Sequence, residues 1–225
     1  MVLLSNHKQS LWAAFSCVRM NKIIIGTNNP HKKEKLSWIV EGLFDEIEPM
    51  DRRMEIDENG KSFEENARIK SLAVAREFGC YAIATDGGAV IPALGNNWNE
   101  LLTRRFVGRE GADDFDRINT LLEIMKGKKG DERKIVWREA IAIASPKKVI
   151  FSCEVEGDTG LIQEAYDPKQ YKEGIWLCTI TCYPQFGGKN FFELSEKEKE
   201  YGEISWHKLR DKTREFLSNH LKTKK

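Results

Sequence analysis

Lys22-Ile23-Ile24-Ile25-Gly26-Thr27-Asn28-Asn29-Pro30-His31-Lys32 sets the reading of this chain. The β-branched run predicts a short buried strand. Downstream, Leu36, Ile39, Val40 and Leu43 recur at three- and four-residue spacing, which predicts a helix over 32–43 with one apolar face. Pro30 suits its first turn. A strand, a turn of small polar residues and a helix N-terminus together form an anion site, because unpaired backbone N–H groups and the helix dipole point at the same place. The spacing is not that of a Walker A loop.

The second informative stretch is Ser62-Phe63-Glu64-Glu65-Asn66-Ala67-Arg68-Ile69-Lys70. It follows a mixed segment, 46–58, and a turn at Gly60. Ser62 with Glu65 three residues later has the pattern of a capping box, so a helix is expected from there to Phe78, ended by Gly79. Asn66 and Lys70 are four apart and share a face. Tyr81-Ala82-Ile83-Ala84-Thr85 then predicts a strand ending at Asp86, with Gly87-Gly88 allowing a sharp exit. Small polar groups and Lys32 at one strand end, a polar helix face, and a carboxylate at another strand end can hold a phosphate chain, a divalent metal and an attacking water together. Each residue also has a plainer role: Lys32 a solvated helix lysine, Glu65 a cap, Asp86 a turn former.

Further along, Phe115, Ile118, Leu121, Leu122 and Met125 mark a helix over 113–126. Strands are expected at 134–144, 149–156 and 160–165, with Ser145-Pro146-Lys147-Lys148 as a hairpin turn, and another at 175–182. The tail from Ser195 reads as a charged helix. Alternating strands and helices followed by consecutive strands predict an α/β fold bordering on α+β, with a mixed sheet flanked by helices.

The 225 residues are 40% hydrophobic and 32% charged, enough for one well-packed core. We expect a single domain over 21–221, an extension over 1–20 and a frayed tail over 222–225; a targeting role for 1–20 is the alternative. Lys and Arg number 36 against 35 Asp and Glu, a net charge of +1, which gives no case for binding a nucleic-acid polymer. No run of about eighteen apolar residues predicts a membrane span. Cys17, Cys80, Cys153, Cys178 and Cys182 lack metal-site clustering; Cys178 and Cys182 are expected on one face of a strand, and a reducing, cytoplasmic setting fits.

Four segments resemble the inosine triphosphate pyrophosphatase family, the Ham1-like house-cleaning enzymes. Thr27-Asn28-Asn29-Pro30-His31-Lys32 is similar to its T-G-N-x-x-K motif. Phe63, Glu65, Asn66, Ala67 and Lys70 match F-x-E-N-A-x-x-K in full. Ala84 to Gly95 is similar to A-D-D-S-G-L-x-V-x-A-L-G, and Arg105-Phe106-Val107-Gly108 to R-Y-x-G. The resemblance implies an elongated mixed sheet with two lobes around a cleft, a homodimer, and Mg2+-dependent release of pyrophosphate from non-canonical purine nucleoside triphosphates, with Mn2+ as a possible substitute. It implies Glu65 as a metal ligand and Asp86 as metal ligand or water activator. Lys32 and Lys70 would take phosphate charge, and Thr27, Asn29, Asn66, Gly87 and Arg105 would line the substrate site.

Towards the C-terminus the match is partial. Glu173-Gly174-Ile175-Trp176-Leu177 stands where the family has an aromatic-rich element, with Leu177 for its Asp. Ile204-Ser205-Trp206-His207-Lys208 resembles I-S-H-R if Trp206 is an insertion, which makes Trp176, His207 and Lys208 the candidates for the base side. Trp98, Trp176 and Trp206 could stack on a base, with core or surface packing as the alternative for each. Thr85 stands where the first acid of the D-D pair would be. Two rivals follow: a Maf-like pyrophosphatase acting on other nucleotides, and a nucleotide-binding module without turnover.

Overall fold

A computed structural model describes residues 20–222 apart from 104, 105, 109 and 174. Residues 1–19 of the extension expected over 1–20 and the last three residues lie outside the described residues, as does Arg105.

The first strand, β1 (Met20–Ile25), leads through the polar turn into α1 (Pro30–Val40). Asn29 caps that helix: its side chain accepts from the Lys32 N–H at 3.2 Å. Strand β2 (Phe44–Pro49) follows and was not foreseen, because Phe-Asp-Glu-Ile-Glu-Pro is too polar to read as a strand. It is an edge strand, where charged side chains face water and discourage pairing with other chains.

Helix α2 (Phe63–Phe78) begins and ends where its caps predict. The Glu65 N–H donates to Ser62 Oγ at 3.1 Å, and Gly79 takes the left-handed conformation at φ 69°. The Glu65 carboxylate does not close the box on Ser62; it accepts from the Lys61 N–H at 2.7 Å.

Strand β3 runs from Tyr81 to Val90, through Gly87 and Gly88 rather than turning at them. Continuous pairing with β4 (Lys134–Ala144) carries it past the glycines, from Ala82 opposite Ala144 to Val90 opposite Val136. Helix α3 (Asp114–Ile124) lies between β3 and β4 in sequence, with a capping box from Asp113 and Asp116. Strand β5 (Val149–Ile162) is one strand where two were expected, since its pairing with β4 crosses the intervening turn-like residues.

The segment expected as a strand at 175–182 is instead a helical turn, α4 (Trp176–Thr179), followed by β6 (Thr181–Tyr183). Cys178 and Cys182 therefore sit on different elements. Burial pushes the Cys178 thiol up to about 12, so it is inert at neutral pH. The chain ends with β7 (Lys189–Asn190), α5 (Glu196–Gly202) and α6 (Ile204–Lys222).

The seven strands form one mixed sheet in the order β2-β1-β3-β4-β5-β6-β7. β1 is parallel to β2 and β3, and the remaining pairs are antiparallel. Strand alternation then assigns the faces. Ile83, Ile141 and Ile143 pack with Leu36 and Ile39 of α1 and with Trp206 and Leu209 of α6. Ala140 and Ala142 pack with Phe63 and Ala67 of α2 on the opposite face. A separate core at the far end of the sheet joins Ile118 and Leu121 of α3 to Trp98, Ile135, Trp176 and Leu177. Each fully buried aliphatic side chain in these cores contributes about 1.5–3 kcal/mol.

Candidate active site

The site exists because β1 is short. Its pairing with β3 ends at Ile25 opposite Ile83, and the Gly26 N–H closes it by donating to the Ile83 carbonyl at 2.8 Å. Beyond that point β3 continues with an open edge on this side. The N-terminus of α1 approaches from one face of the sheet and α2 from the other.

On the α2 face stands Asp86, opposite Ala140 in the register. Asn66 Nδ2 donates to its Oδ2 at 2.9 Å, and Lys70 Nζ donates to its Oδ1 at 3.2 Å. The four-residue spacing of Asn66 and Lys70 places both donors on one carboxylate. Asn66 is oriented in turn by the Gly60 N–H, which donates to Asn66 Oδ1 at 2.9 Å. Gly60 has no room for a side chain: a Cβ there would lie 2.6 Å from Asn66 Oδ1. The Lys70 ammonium also donates to the Thr85 carbonyl at 3.2 Å and lies 3.0 Å from Glu58 Oε2. Glu58 is the exposed partner of the three and the one most easily exchanged for a phosphate oxygen.

On the α1 face stands Glu139, opposite Gly87. The carboxylate lies directly on the glycine; a Cβ at Gly87 would be 2.1 Å from Glu139 Oε2. That contact, rather than a turn, is why a glycine follows Asp86. Lys32 Nζ reaches Glu139 Oε2 at 3.8 Å, an ion pair too long for a hydrogen bond, and Oε2 is buried with no hydrogen-bond donor. The Glu139 side chain is only 12% exposed. Burial pushes its carboxyl above the usual range and Asp86 adds to the rise, while Lys32, Lys70 and the Thr85 hydroxyl oppose it. Thr85, on the same face, is buried and donates its hydroxyl to the Ala140 carbonyl at 2.6 Å.

The polar turn is ordered from within. The Asn29 N–H donates to Thr27 Oγ1 at 3.2 Å, and Asn29 Oδ1 holds the first turn of α1. Thr27 and Asn29 therefore shape the anion loop.

The structure thus brings Lys32, Asn66, Lys70, Asp86 and Gly87 together at the open edge, with the Thr27–Asn29 turn beside them. Glu65 is exposed one residue before Asn66, with its Oε2 engaged by Lys61. The base-side candidates are engaged in contacts of their own. Trp176 is 4% exposed and stacks on Phe106 at 5.8 Å, inside the core that also holds Trp98. Its apolar surface is consumed by packing, so it offers no free face to a base. Trp206 is buried in the α1–α6 core with its ring against His31. That turns His207 outward onto Trp38, while Lys208 donates to the Glu156 carbonyl at 2.8 Å.

Glu58 and Glu139 are the site residues that sequence reasoning missed. Glu58 sits in an irregular segment with no periodicity. Glu139 carried one signal: a carboxylate beside an otherwise apolar strand interior, Ala140-Ile141-Ala142-Ile143-Ala144. Among the described residues no group of three or more His, Cys, Asp or Glu side chains has metal-binding geometry. The donor set at the open edge is all oxygen, which fits magnesium: that ion takes one or two carboxylates and completes its shell with phosphate oxygens and water.

Comparison with known proteins shows the family. Residues 23–205 match the Ham1 family. A dITP/XTP pyrophosphatase of Gloeobacter violaceus is 30% identical over 181 residues, covering 80% of this chain and 87% of that protein. One from Thermoanaerobacter sp. is 30% identical over 187 residues, covering 79% and 87%. A HAM1 protein structure from Coxiella burnetii superposes with a TM-score of 0.69 at 24% identity, over 91% of this chain and 100% of that one. A nucleoside-triphosphatase, or dITP/XTP pyrophosphatase, from Mycobacterium abscessus gives 0.64 at 28% identity, over 84% and 96%.

Proposed function

The chain belongs to the Ham1 family, and on that premise we propose that it hydrolyses non-canonical purine nucleoside triphosphates, such as inosine, deoxyinosine or xanthosine triphosphate, to the monophosphate and pyrophosphate. Water attacks the α-phosphorus, the α–β anhydride bond breaks, and the β-phosphate oxygen leaves with the electron pair. The observation that carries this reading is Asp86, held by Asn66 and Lys70 at an open strand edge beside the α1 N-terminus.

The roles follow from position. The α1 turn with Thr27 and Asn29 receives phosphate oxygens on its backbone N–H groups. Lys32 and Lys70 neutralise the triphosphate as compact, flexible point charges. Asp86, each of its oxygens fixed by one donor, orients the attacking water or holds the cation. Asn66 positions Asp86. Glu58 carries the role that the resemblance gives to Glu65, because Glu58 reaches Lys70 while Glu65 fastens the loop at Lys61. A magnesium ion, with manganese as substitute, would be held by Asp86 with Glu58 and would polarise the phosphoryl oxygens. Arg105, as a fork-shaped phosphate donor, completes the set.

The test is pyrophosphate release across purine and pyrimidine triphosphates, with Mg2+, with Mn2+ and with a chelator. Preference for inosine or xanthosine triphosphate that vanishes with the chelator is expected. Preference for a pyrimidine triphosphate would transfer the chain to a Maf-like activity. Nucleotide binding by calorimetry without pyrophosphate release would replace turnover with binding, a reading that Thr85 favours by standing where an acid is expected. A homodimer belongs to the same proposal, and sedimentation at micromolar concentration tests it. No helix among the described residues is long and apolar enough to cross a membrane.

A further inference from the structure

We propose that Glu139 is a further cation-holding carboxylate of this site, beside Asp86 and Glu58, supplying from β4 the acid that β3 lacks at Thr85. The inference rests on the pyrophosphatase reading above. It is carried by three observations about this chain.

The first is position. Thr85 and Gly87 alternate onto the same face of β3, and Glu139 is the direct cross-strand neighbour of Gly87. An acid at 85 would project from that face. Here the face bears a hydroxyl at 85, nothing at 87, and a glutamate reaching over from the next strand. The Gly87 backbone leaves the space that the Glu139 carboxylate fills, with Oε2, Cδ and Oε1 all within 2.7 Å of where a Cβ would stand. A Cβ at 87 and a carboxylate from 139 are mutually exclusive.

The second is the state of the oxygen. A buried carboxylate kept for structural reasons has its oxygens satisfied by donors. Oε2 of Glu139 is buried and accepts no hydrogen bond. The Thr85 hydroxyl, which holds the Ala140 carbonyl at 2.6 Å, makes no hydrogen bond to Oε2. An oxygen left without a donor in a polar site is ready for a hard cation, which needs no hydrogen.

The third is the exchangeable countercharge. Lys32 stands 3.8 Å away without hydrogen-bonding. It balances Glu139 before a cation binds, and it is free to swing to a phosphate when a cation takes over the carboxylate. The arrangement places carboxylates on both faces of β3, Asp86 on one and Glu139 on the other, flanking the open edge between them.

The experiment is a Mn2+ titration of the full chain without nucleotide, followed by electron paramagnetic resonance, with melting temperature measured in a chelator. In Glu139→Gln, Mn2+ affinity is expected to fall at least about tenfold, while the cation-free protein melts no lower than the parent, because a buried carboxylate oxygen without a hydrogen-bond donor has been removed. Gly87→Ala reaches the same end independently: its added methyl displaces the Glu139 carboxylate, and Mn2+ affinity falls likewise. Asp86→Asn separates the two readings. Mn2+ affinity within about twofold of the parent in folded Glu139→Gln and Gly87→Ala, but lost in Asp86→Asn, overturns the assignment of Glu139 and leaves the Asp86 site standing. Affinity unchanged in all three overturns both.

Discussion

Replacing Asp86 by Asn tests the site through the direction of its hydrogen bonds. The chain of donors runs one way: Gly60 N–H to Asn66 Oδ1, Asn66 Nδ2 to Asp86 Oδ2, and Lys70 Nζ to Asp86 Oδ1. Asp86 is the sink, since an ionised carboxylate only accepts. An amide at 86 has one acceptor for two donors. If its oxygen faces Lys70, its nitrogen confronts the Asn66 amide nitrogen. Flipping Asn66 would then set its nitrogen against the Gly60 N–H. One buried polar contact fails in every arrangement, which costs about 1–3 kcal/mol. For a chain of this size that is a fall of roughly 2–12 °C in melting temperature. Turnover falls more, by about 10²–10⁴-fold, because the charge that orients water or cation is gone. The double variant Asn66→Asp, Asp86→Asn reverses the direction of the chain. Its new carboxylate at position 66 accepts from Gly60 and from the new amide at position 86, and the oxygen of that amide accepts from Lys70. It is expected to recover the melting temperature without recovering turnover. Scanning fluorimetry and pyrophosphate release read the two quantities separately. A folded Asp86→Asn protein with turnover within about tenfold of the parent would refute the role of Asp86. A double variant no more stable than the single one would refute the hydrogen-bond argument.

Three further outcomes are expected. Gly60→Ala forces a methyl to within 2.6 Å of Asn66 Oδ1; loosening of the Asn66–Asp86 bond should cost about 1–3 kcal/mol by urea denaturation and lower turnover, whereas Gly42→Ala, with nothing within 4 Å but φ at 73°, should cost stability through backbone strain alone and leave turnover unchanged. Lys32→Met leaves Glu139 without its countercharge; it should raise KM for the triphosphate and destabilise the fold by about 1–3 kcal/mol, and adding Glu139→Gln should return stability but not KM. Asp158 is raised from 3.8 to about 6, chiefly by burial, although Tyr183 donates to it at 2.7 Å. A carboxyl raised in the fold is bound to its proton more tightly there than in the unfolded chain, so stability is lost as pH rises from about 4 to about 6 and the loss is complete above that. Asp158→Asn should therefore gain on the parent across that window, levelling at about 2–3 kcal/mol, as read by denaturation at a series of pH values; a constant difference from about pH 4 to about pH 8 would contradict it.

The elements that the sequence made legible are those whose information is local. β1, α1, α2, α3 and β4 announce themselves by β-forming runs, by three- and four-residue spacing, and by the cap at Ser62. Asn66 and Lys70 meet on Asp86 because helical spacing puts them on one face, and that spacing is written in the chain. The Gly87-Gly88 pair misled, because a glycine at a turn and a glycine under a neighbour's carboxylate look alike in one dimension. The segment at 175–182 misled for a similar reason: β-branched and aromatic residues also pack well in a buried helical turn, and the core around Phe106 and Leu121 decided the matter.

What the amino-acid sequence by itself determined, then, was the anion loop, the polar face of α2, and the acid at the end of an apolar run. Only the tertiary structure decided that Glu58 joins them through Lys70, that Glu139 arrives from the next strand over Gly87, and that Trp176 and Trp206 belong to cores rather than to a base. The physical reason is range. Helical and strand periodicities are interactions among residues a few positions apart, whereas the pairing register of β3 with β4 joins positions 87 and 139, and nothing local to either records the other.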